Sequence, residues 1–194
     1  MAKRTGEKHQ VILEAAVKTF ARSGYHRTRV ADIAREAGVA DGTVYIYFKN
    51  KEDILISLFQ DLMSRFVENL YGELANCHNA NEKLATVITY HLTTLANRPD
   101  QAKVTQIELR QTDQAINEGI SGPLKSYFRL IEEVIDEGKM QNLYRQNINT
   151  RTARKVVFGA IDEVVTCWVM SSKHYELGAL CEPVYEMLVK GLRQ

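Results

Sequence analysis

The sequence has few of the features that mark a secreted or membrane-spanning protein. Its three cysteines, Cys77, Cys167 and Cys181, form no CxxC pair, which argues against a zinc cluster or a disulfide framework and favours reduced thiols. No run of about 18 uncharged apolar residues occurs, so no membrane span is expected. The first residues carry charges with no apolar segment behind them, so no secretory signal is expected. We therefore expect a cytoplasmic protein that does not bind membranes.

The motifs of several large enzyme classes are also absent from the sequence. GxSxG, HExxH, the P-loop and GxGxxG do not occur, and the five histidines show no metal-ligand spacing. An enzyme is therefore disfavoured, and we predict no catalytic residue, no metal site and no cofactor.

The sequence does contain a helix-turn-helix pattern, between Gly24 and Leu55. In the first helix the apolar residues recur at i, i+3, i+4 and i+7: Val30, Ile33, Ala34 and Ala37. Thr28 is predicted to cap this helix and Gly38 to end it, where glycine accepts a positive φ. The second helix is predicted from Asp41 to Tyr47. In such a motif the second helix enters the major groove of DNA.

The charges are distributed unevenly along the chain. Residues 1–51 hold ten Lys and Arg against five Asp and Glu, a balance of +5, whereas residues 52–194 hold fifteen against nineteen, a balance of −4. A basic N-terminal part suits the neutralisation of DNA phosphates. We expect a disordered basic arm at residues 1–5 and a supporting helix from about Glu7 to Ser23.

The helix-turn-helix resembles the DNA-binding head of the TetR family of bacterial regulators. The shared residues are Gly24–Tyr25, Thr28, Ile33–Ala34, Ala37–Gly38–Val39, Gly42–Thr43–Val44–Tyr45, Tyr47–Phe48 and Asn50–Lys51–Glu52–Asp53. The resemblance implies a two-fold dimer bound to a palindromic DNA operator. It also implies that positions 39–43 face the groove and that Tyr47 and Lys51 contact the DNA backbone.

The predicted DNA contacts combine this resemblance with the chemistry of each residue. They are Thr28, Arg29, Val39, Ala40, Asp41, Gly42, Thr43, Tyr45, Tyr47 and Lys51. Tyr45 either reaches a base or packs inward, and Phe48 is expected in the core. No Arg or Lys lies between positions 40 and 48, so the usual bidentate contact with guanine is missing there. Arg27 or Arg29 are the candidates to supply it.

The rest of the chain is predicted to be helical, because it has few prolines and no alternating strand pattern. Asn50 is expected to cap a long helix 4, with Asp53 as its partner. Breaks are predicted at residues 98–100 and 119–123, with helix 6 between them and helix 7 from Leu124 to near Gly138. The expected fold is all-α with about nine helices. A three-helix head at residues 1–50 precedes a ligand-binding and dimerisation domain at residues 51–194.

The last two helices, at about residues 150–172 and 179–192, are predicted to form a homodimer interface. From Val156 to Met170 the only charged residues are Asp162 and Glu163, so the first of these helices is apolar on two sides. A helix that is apolar on two sides must be covered on both.

Three segments resemble the TetR-type fatty-acid-degradation regulators of Gram-positive bacteria: IYFKNKEDILISLF, VTQIELRQ and FGAIDEVVTCWVM. The resemblance implies a repressor of β-oxidation genes that long-chain acyl-CoA, as a small-molecule effector, releases from DNA. The candidate ligand-binding residues are His91, Gln106, Arg110, Tyr127, Phe128, Ile131, Asp162, Val165 and Trp168. Arg110 meets either a coenzyme A phosphate or an interior acid, namely Glu108, Asp162 or Glu163. His91 is alternatively a core histidine with its polar atoms satisfied.

Two other functions remain open at this point. A TetR-type sensor of lipophilic drugs needs an apolar pocket but no arginine for phosphate. A dimeric adaptor that has lost DNA binding is disfavoured by the presence of Tyr47 and Lys51.

Overall fold

The computed structural model describes residues 2–108, 114–173 and 175–193, without the side chains of residues 2–5 and 108. Within these ranges the chain forms nine α-helices and no strand, which confirms the all-α prediction. The helices are α1 Ala2–Ser23, α2 Val30–Ala37, α3 Asp41–Tyr47, α4 Lys51–Leu74, α5 Ala80–Ala96, α6 Pro99–Lys103, α7 Gln114–Met140, α8 Thr150–Met170 and α9 Cys181–Leu192. A π-helical turn follows α6, and a 3₁₀ turn precedes α9. None of the helices in the described ranges is long and apolar enough to cross a membrane.

The chain divides into two compact units. The first unit comprises Met1–Leu62 and Lys103–Gly122, and the second comprises Met63–Ala102 and Pro123–Gln194. Helices α4 and α7 therefore each contribute residues to both units. The predicted domain boundary between residues 50 and 51 stays a prediction.

The helix-turn-helix lies in the first unit, with the predicted bounds. Gly24 and Gly38 follow α1 and α2 with φ values of 78° and 66°, a conformation that glycine adopts without steric cost. Helix α3 spans Asp41–Tyr47 as predicted. The core beneath these helices consists of buried apolar residues: Ile12, Leu13, Ala16, Phe20, Ile33, Ala34, Val44 and Phe48.

Two predictions for the N-terminal region are wrong. The cap of α2 is Arg29, whose backbone N–H donates to the Asp32 carboxylate at 3.0 Å. The Thr28 hydroxyl is buried and instead donates to the Gly24 carbonyl at 2.8 Å, because carbonyls near the end of α1 need donors. Residues 2–5, predicted to be disordered, continue α1, since Ala, Lys and Arg favour helices.

The predicted break at residues 119–123 is also wrong, because α7 runs through Pro123. Proline has no N–H to donate to the carbonyl four residues earlier, which is that of Gly119. The Gln60 side chain donates to this carbonyl at 2.7 Å and satisfies it. Helix 7 ends at Met140, within two residues of the predicted end near Gly138. Helix 6 is short and passes into the π-helical turn Val104–Glu108.

The second unit is a helical bundle around one apolar core. Its buried residues include Leu70, Leu84, Val87, Ile88, Leu92, Leu130, Ile131, Ile135, Val157, Ile161, Val165 and Val189. Asn79 and Asn149 cap α5 and α8, accepting from the N–H groups of Glu82 and Thr152. The N-terminal ends of α5 and α8 are thereby stabilised by side chains that are close in sequence.

We predict that two glycines of α7 respond oppositely to replacement by alanine. A methyl group at Gly119 would lie 2.8 Å from side-chain atoms of Ile56, whereas one at Gly122 meets nothing within 4 Å. Gly119→Ala should therefore lower the free energy of unfolding by about 1–2 kcal/mol through overpacking. Gly122→Ala should raise the free energy of unfolding by about 0.5–1 kcal/mol, because alanine favours a helix more than glycine does. Urea unfolding at one protein concentration measures both changes in the free energy of unfolding. Equal stabilisation by the two substitutions would exclude the close approach of Ile56, a residue of α4, to Gly119.

Candidate nucleic-acid interface and ligand site

Helix α3 has one buried side and one exposed side. Val44 and Phe48 lie in the core of the first unit. On the other side, Asp41 and Gly42 are exposed, as are 56% of Tyr45 and 76% of Ile46. We call Asp41, Gly42, Tyr45 and Ile46 the exposed face of α3. Tyr45, for which the sequence left two positions open, does not pack inward.

Ile46 is absent from the residues predicted to contact DNA. An isoleucine is usually buried, so its residue type alone does not mark it as a DNA contact. The signal that identifies it is the i, i+4 spacing of Val44 and Phe48, which defines the inward stripe and leaves position 46 outside it. An exposed aliphatic side chain on such a helix suits contact with a thymine methyl group.

Three cations of the first unit are exposed near the ends of α2 and α3. Arg27 and Arg29 lie between α1 and α2, and Lys49 follows α3. The Arg27 Nε donates to the Ser23 carbonyl at 2.9 Å, which leaves the rest of its guanidinium available. Positive charge thus comes from the segments before α2 and after α3, because α3 itself carries none.

The other predicted DNA contacts differ in exposure. Ala40 is exposed, and Val39, Thr43 and Tyr47 are partly buried. The Tyr47 ring lies 6.2 Å from that of His9, which stacks on Phe48 at 4.8 Å.

Thr28 and Lys51, both predicted to meet phosphate, are held by the protein itself. Thr28 is buried, with its hydroxyl on the Gly24 carbonyl. The Lys51 Nζ donates to the carbonyls of Tyr25, Thr28 and His26 at 2.8, 3.0 and 3.3 Å. A direct DNA contact by either residue stays a prediction.

Of the predicted ligand-binding residues, His91 and Tyr127 are in direct contact in the second unit. Both are buried, and His91 Nδ1 lies 2.8 Å from the Tyr127 hydroxyl. The Phe66 ring packs against both, with centroid distances of 5.4 and 5.3 Å. Phe158 joins Tyr127 and Phe128 at 6.0 and 4.9 Å. We call these five residues the aromatic cluster; sequence analysis did not select Phe66 and Phe158, although both lie on apolar helix stripes.

Burial keeps the His91–Tyr127 pair neutral. It lowers the pKa of His91 to about 4. Burial also raises the pKa of Tyr127 well above its usual range, and the nearby negative charge of Asp162 adds to this effect. At neutral pH the pair is therefore an uncharged hydrogen bond within an apolar core.

The remaining predicted ligand residues occupy different environments. Ile131 and Val165 are buried in the core of the second unit, and the Trp168 indole donates to the Tyr175 carbonyl at 3.1 Å. Gln106 is buried in the first unit, on the π-helical turn. Arg110 lies outside the described residues.

A half-open groove of about 360 Å³ runs between α8 and α9 in the second unit. Most of its lining is apolar and includes Val156, Met187 and Leu188, with Arg145 at its edge. The side chain of Met187 is 79% exposed, and Val156 and Met170 are also exposed. The last two helices thus present apolar surface that this chain alone leaves uncovered.

We predict that His91 makes the protein sensitive to acid. The unfolded state protonates this histidine below pH 6.5, but the folded state does so only near pH 4. Between these values the unfolded state binds more protons, so the free energy of unfolding falls as the pH falls, by about 3 kcal/mol in total.

His91→Gln should remove this part of the pH dependence, measured by urea unfolding at pH 7 and pH 4.5. The exposed His78 supplies a matched control, because its side chain stays in water when the protein folds. His78→Gln should therefore retain the wild-type pH dependence. If His91→Gln retains it too, His91 is not the buried neutral group described above.

Known proteins are similar to this chain over most of its length, beyond the sites described above. The family model described as bacterial regulatory proteins, tetR family, matches residues 12–58. The model described as the C-terminal region of YsiA-like proteins matches residues 59–191. Together the two models span most of the sequence.

Individual relatives agree with these matches and confirm the resemblance found in the sequence. The chain is 44% identical over 190 residues to the fatty acid metabolism regulator protein of Bacillus subtilis (strain 168), covering 98% of each. It is similar to the structure of the fatty acid degradation regulator FadR from Bacillus halodurans, with 45% identity and a TM-score of 0.90 over 95% of this chain and 99% of that one. FadR from Bacillus subtilis, in complex with stearoyl-CoA, shows 44% identity and a TM-score of 0.91 over the same shares. The chain therefore belongs to the tetR family of bacterial regulatory proteins.

Proposed function

We propose that this protein is a transcriptional repressor of fatty-acid-degradation genes that binds a palindromic operator as a homodimer and is released by long-chain acyl-CoA. The observation that carries the DNA-binding part is the exposed face of α3, which is held outward by the burial of Val44 and Phe48. The similarity to fatty acid metabolism regulators over nearly the whole chain supports the choice of target genes. A DNA-binding regulator acts where the chromosome is, so we place the protein in the cytoplasm and assign it no enzymatic step.

In this proposal the exposed face of α3 enters the major groove and reads bases mainly by shape and apolar contact. Tyr45 and Ile46 supply surface for thymine methyl groups, while Gly42 allows a close approach of the backbone. Arg27, Arg29 and Lys49 neutralise phosphates beside the groove.

The proposed dimer forms through α8 and α9. The exposed Val156, Met170 and Met187 support this interface, because a monomer would leave their apolar side chains in water. Two copies related by a two-fold axis present two α3 helices, which suits a palindrome with half-sites about one DNA turn apart.

The proposed effector has an apolar chain and a charged nucleotide end. The stearoyl-CoA complex of a relative supports this class of ligand. The apolar bundle of the second unit offers an environment suited to an acyl chain, and we propose that the chain lies among the predicted ligand residues near the aromatic cluster. The ligand releases DNA only insofar as it binds the DNA-free conformation more tightly than the DNA-bound one.

The first functional prediction concerns operator release. An operator is first selected from random double-stranded DNA, and its dissociation constant is then measured by fluorescence anisotropy. Stearoyl-CoA should raise that constant at least about tenfold, which corresponds to about 1.4 kcal/mol of differential affinity. Coenzyme A alone, which lacks the acyl chain, serves as the control and should have little effect.

Other results would separate the parts of the proposal. Release by free stearate or lipophilic dyes in preference to stearoyl-CoA would indicate a sensor of apolar compounds instead. No selection of any DNA sequence would overturn the DNA-binding role. A selected sequence without counterparts upstream of fatty-acid-degradation genes in the source genome would overturn the choice of targets.

The second functional prediction concerns the dimer. Met187→Glu places a charge on the exposed apolar surface of α9 and should shift the protein towards monomer in sedimentation equilibrium. Met140, at the end of α7, is similarly exposed, at 77% against 79% for Met187, and provides the matched control. Met140→Glu should remain a dimer. Dissociation by Met140→Glu, or an intact dimer with Met187→Glu, would place the interface elsewhere.

A further inference from the structure

We infer that His9, a residue of α1 outside the helix-turn-helix, is a positioning residue that holds the Tyr47 side chain ready for a DNA phosphate. The inference rests on the proposed DNA binding and on the predicted contact between Tyr47 and the DNA backbone. It assigns a function to a histidine for which the sequence pattern predicts none.

The first observation is the place of His9 on its helix. The buried residues Ile12, Leu13 and Ala16 follow it at i+3, i+4 and i+7, so all four share the face of α1 that packs into the core. His9 itself is half-buried, at the N-terminal end of this row. Its imidazole therefore lies at the edge of the core, where one ring can contact both buried and partly exposed neighbours.

The second observation is that the His9 ring contacts two consecutive residues at the end of α3. It stacks on the buried Phe48 ring, with a centroid distance of 4.8 Å and an angle of 30° between the planes. It meets the Tyr47 ring edge to face, at 6.2 Å and 68°. The Tyr47 and Phe48 rings are 6.5 Å apart. Edge-to-face and offset-stacked pairs at such distances are favourable, so Tyr47 rests on a surface that His9 and Phe48 form together.

The third observation is that Tyr47 is held through its ring and not through its hydroxyl. The side chain is partly buried, and its hydroxyl makes no hydrogen bond within the parts of the chain that the structure describes. Tyrosine is among the side chains that donate to DNA phosphates. The donor is therefore available for a phosphate, while the ring that carries it is supported by α1.

A side chain that is already held costs less to order when DNA binds. Immobilising a mobile side chain at an interface opposes binding, and pre-organisation removes part of that cost. His9 supplies this order in the free protein, because its ring limits the rotation of Tyr47. Loss of the His9 ring should therefore weaken operator binding by about three- to tenfold, and it should do so through Tyr47.

A double-mutant cycle on the operator tests this coupling. His9→Ala removes the supporting ring, whereas Tyr47→Phe removes the hydroxyl and keeps the ring. Each should weaken operator binding, measured by fluorescence anisotropy, by about three- to tenfold. Adding His9→Ala to Tyr47→Phe should cost less than about twofold more, because the donor that His9 positions is already gone. Additive losses would show that His9 acts on α3 as a whole and would overturn the inference.

Gln10→Ala is the matched control. Gln10 is the next residue of α1 and is also half-buried, and its side chain donates to Glu14 of the same helix at 3.4 Å. This variant leaves the rings of His9, Tyr47 and Phe48 in place, so it should keep the wild-type operator affinity. A loss in Gln10→Ala equal to that in His9→Ala would indicate a general effect on α1 and would overturn the inference.

Two further measurements separate positioning from a direct contact of His9 with phosphate. His9→Phe keeps a planar ring without an N–H donor, and it should recover most of the affinity that His9→Ala loses. The slope of log K against log salt should be the same in His9→Ala as in wild type, whereas loss of an ionic phosphate contact makes it shallower by about 0.9. An equal loss in His9→Phe and His9→Ala, or a shallower slope, would overturn the inference in favour of a direct contact.

Nuclear magnetic resonance of the free protein tests the ring contact without DNA. Three-bond couplings to the Tyr47 Cγ report whether its χ1 angle occupies one rotamer or averages over several. They should indicate one rotamer in wild type, Gln10→Ala and His9→Phe, and averaging in His9→Ala. Equal couplings in wild type and His9→Ala would overturn the inference even if operator binding fell. If the wild-type protein bound no DNA at all, the proposed function would fail, and the couplings would still report whether His9 holds Tyr47.

Discussion

Helix α3 is very short, and its stability depends on the burial of one of its sides. Its seven residues are too few to form a stable helix alone in water. Burial of Val44 and Phe48, the latter stacked on His9 at 4.8 Å, supplies the missing stabilisation. The same contacts turn Tyr45 and Ile46 outward. The surface proposed to read DNA is therefore a direct consequence of how the core of the first unit is packed.

The first unit also combines segments that are distant in sequence. Residues 103–122 belong to the same compact unit as α1–α3. Within it, Gln60 of α4 satisfies the Gly119 carbonyl that Pro123 leaves free, and Gly119 itself allows the close approach of Ile56. Helix α7 thus continues through a proline because another helix supplies the missing donor.

The second unit places a polar pair within an apolar bundle. His91 and Tyr127 satisfy each other at 2.8 Å, and both are neutral at physiological pH because burial disfavours their charged forms. Any ligand that separates them must offer a replacement hydrogen bond, since an unpaired buried polar group is costly. The proposed acyl-CoA effector carries such a polar group, its thioester carbonyl, next to an apolar chain.

Local patterns in the sequence predict the all-α class, the bounds of α3 and the capping of α4, where Asp53 donates its N–H to the Asn50 side chain at 2.8 Å. These features depend on neighbours within a few residues, through apolar periodicity, glycine conformation and capping side chains. Two features depend on distant partners and are visible only in the folded chain. Helix α7 is unbroken because Gln60, 59 residues before Gly119, donates to the Gly119 carbonyl, and His91 pairs with Tyr127 across 36 residues. A proline or a histidine gives the same local sequence pattern whether or not a distant partner is present. The local pattern therefore cannot reveal that partner.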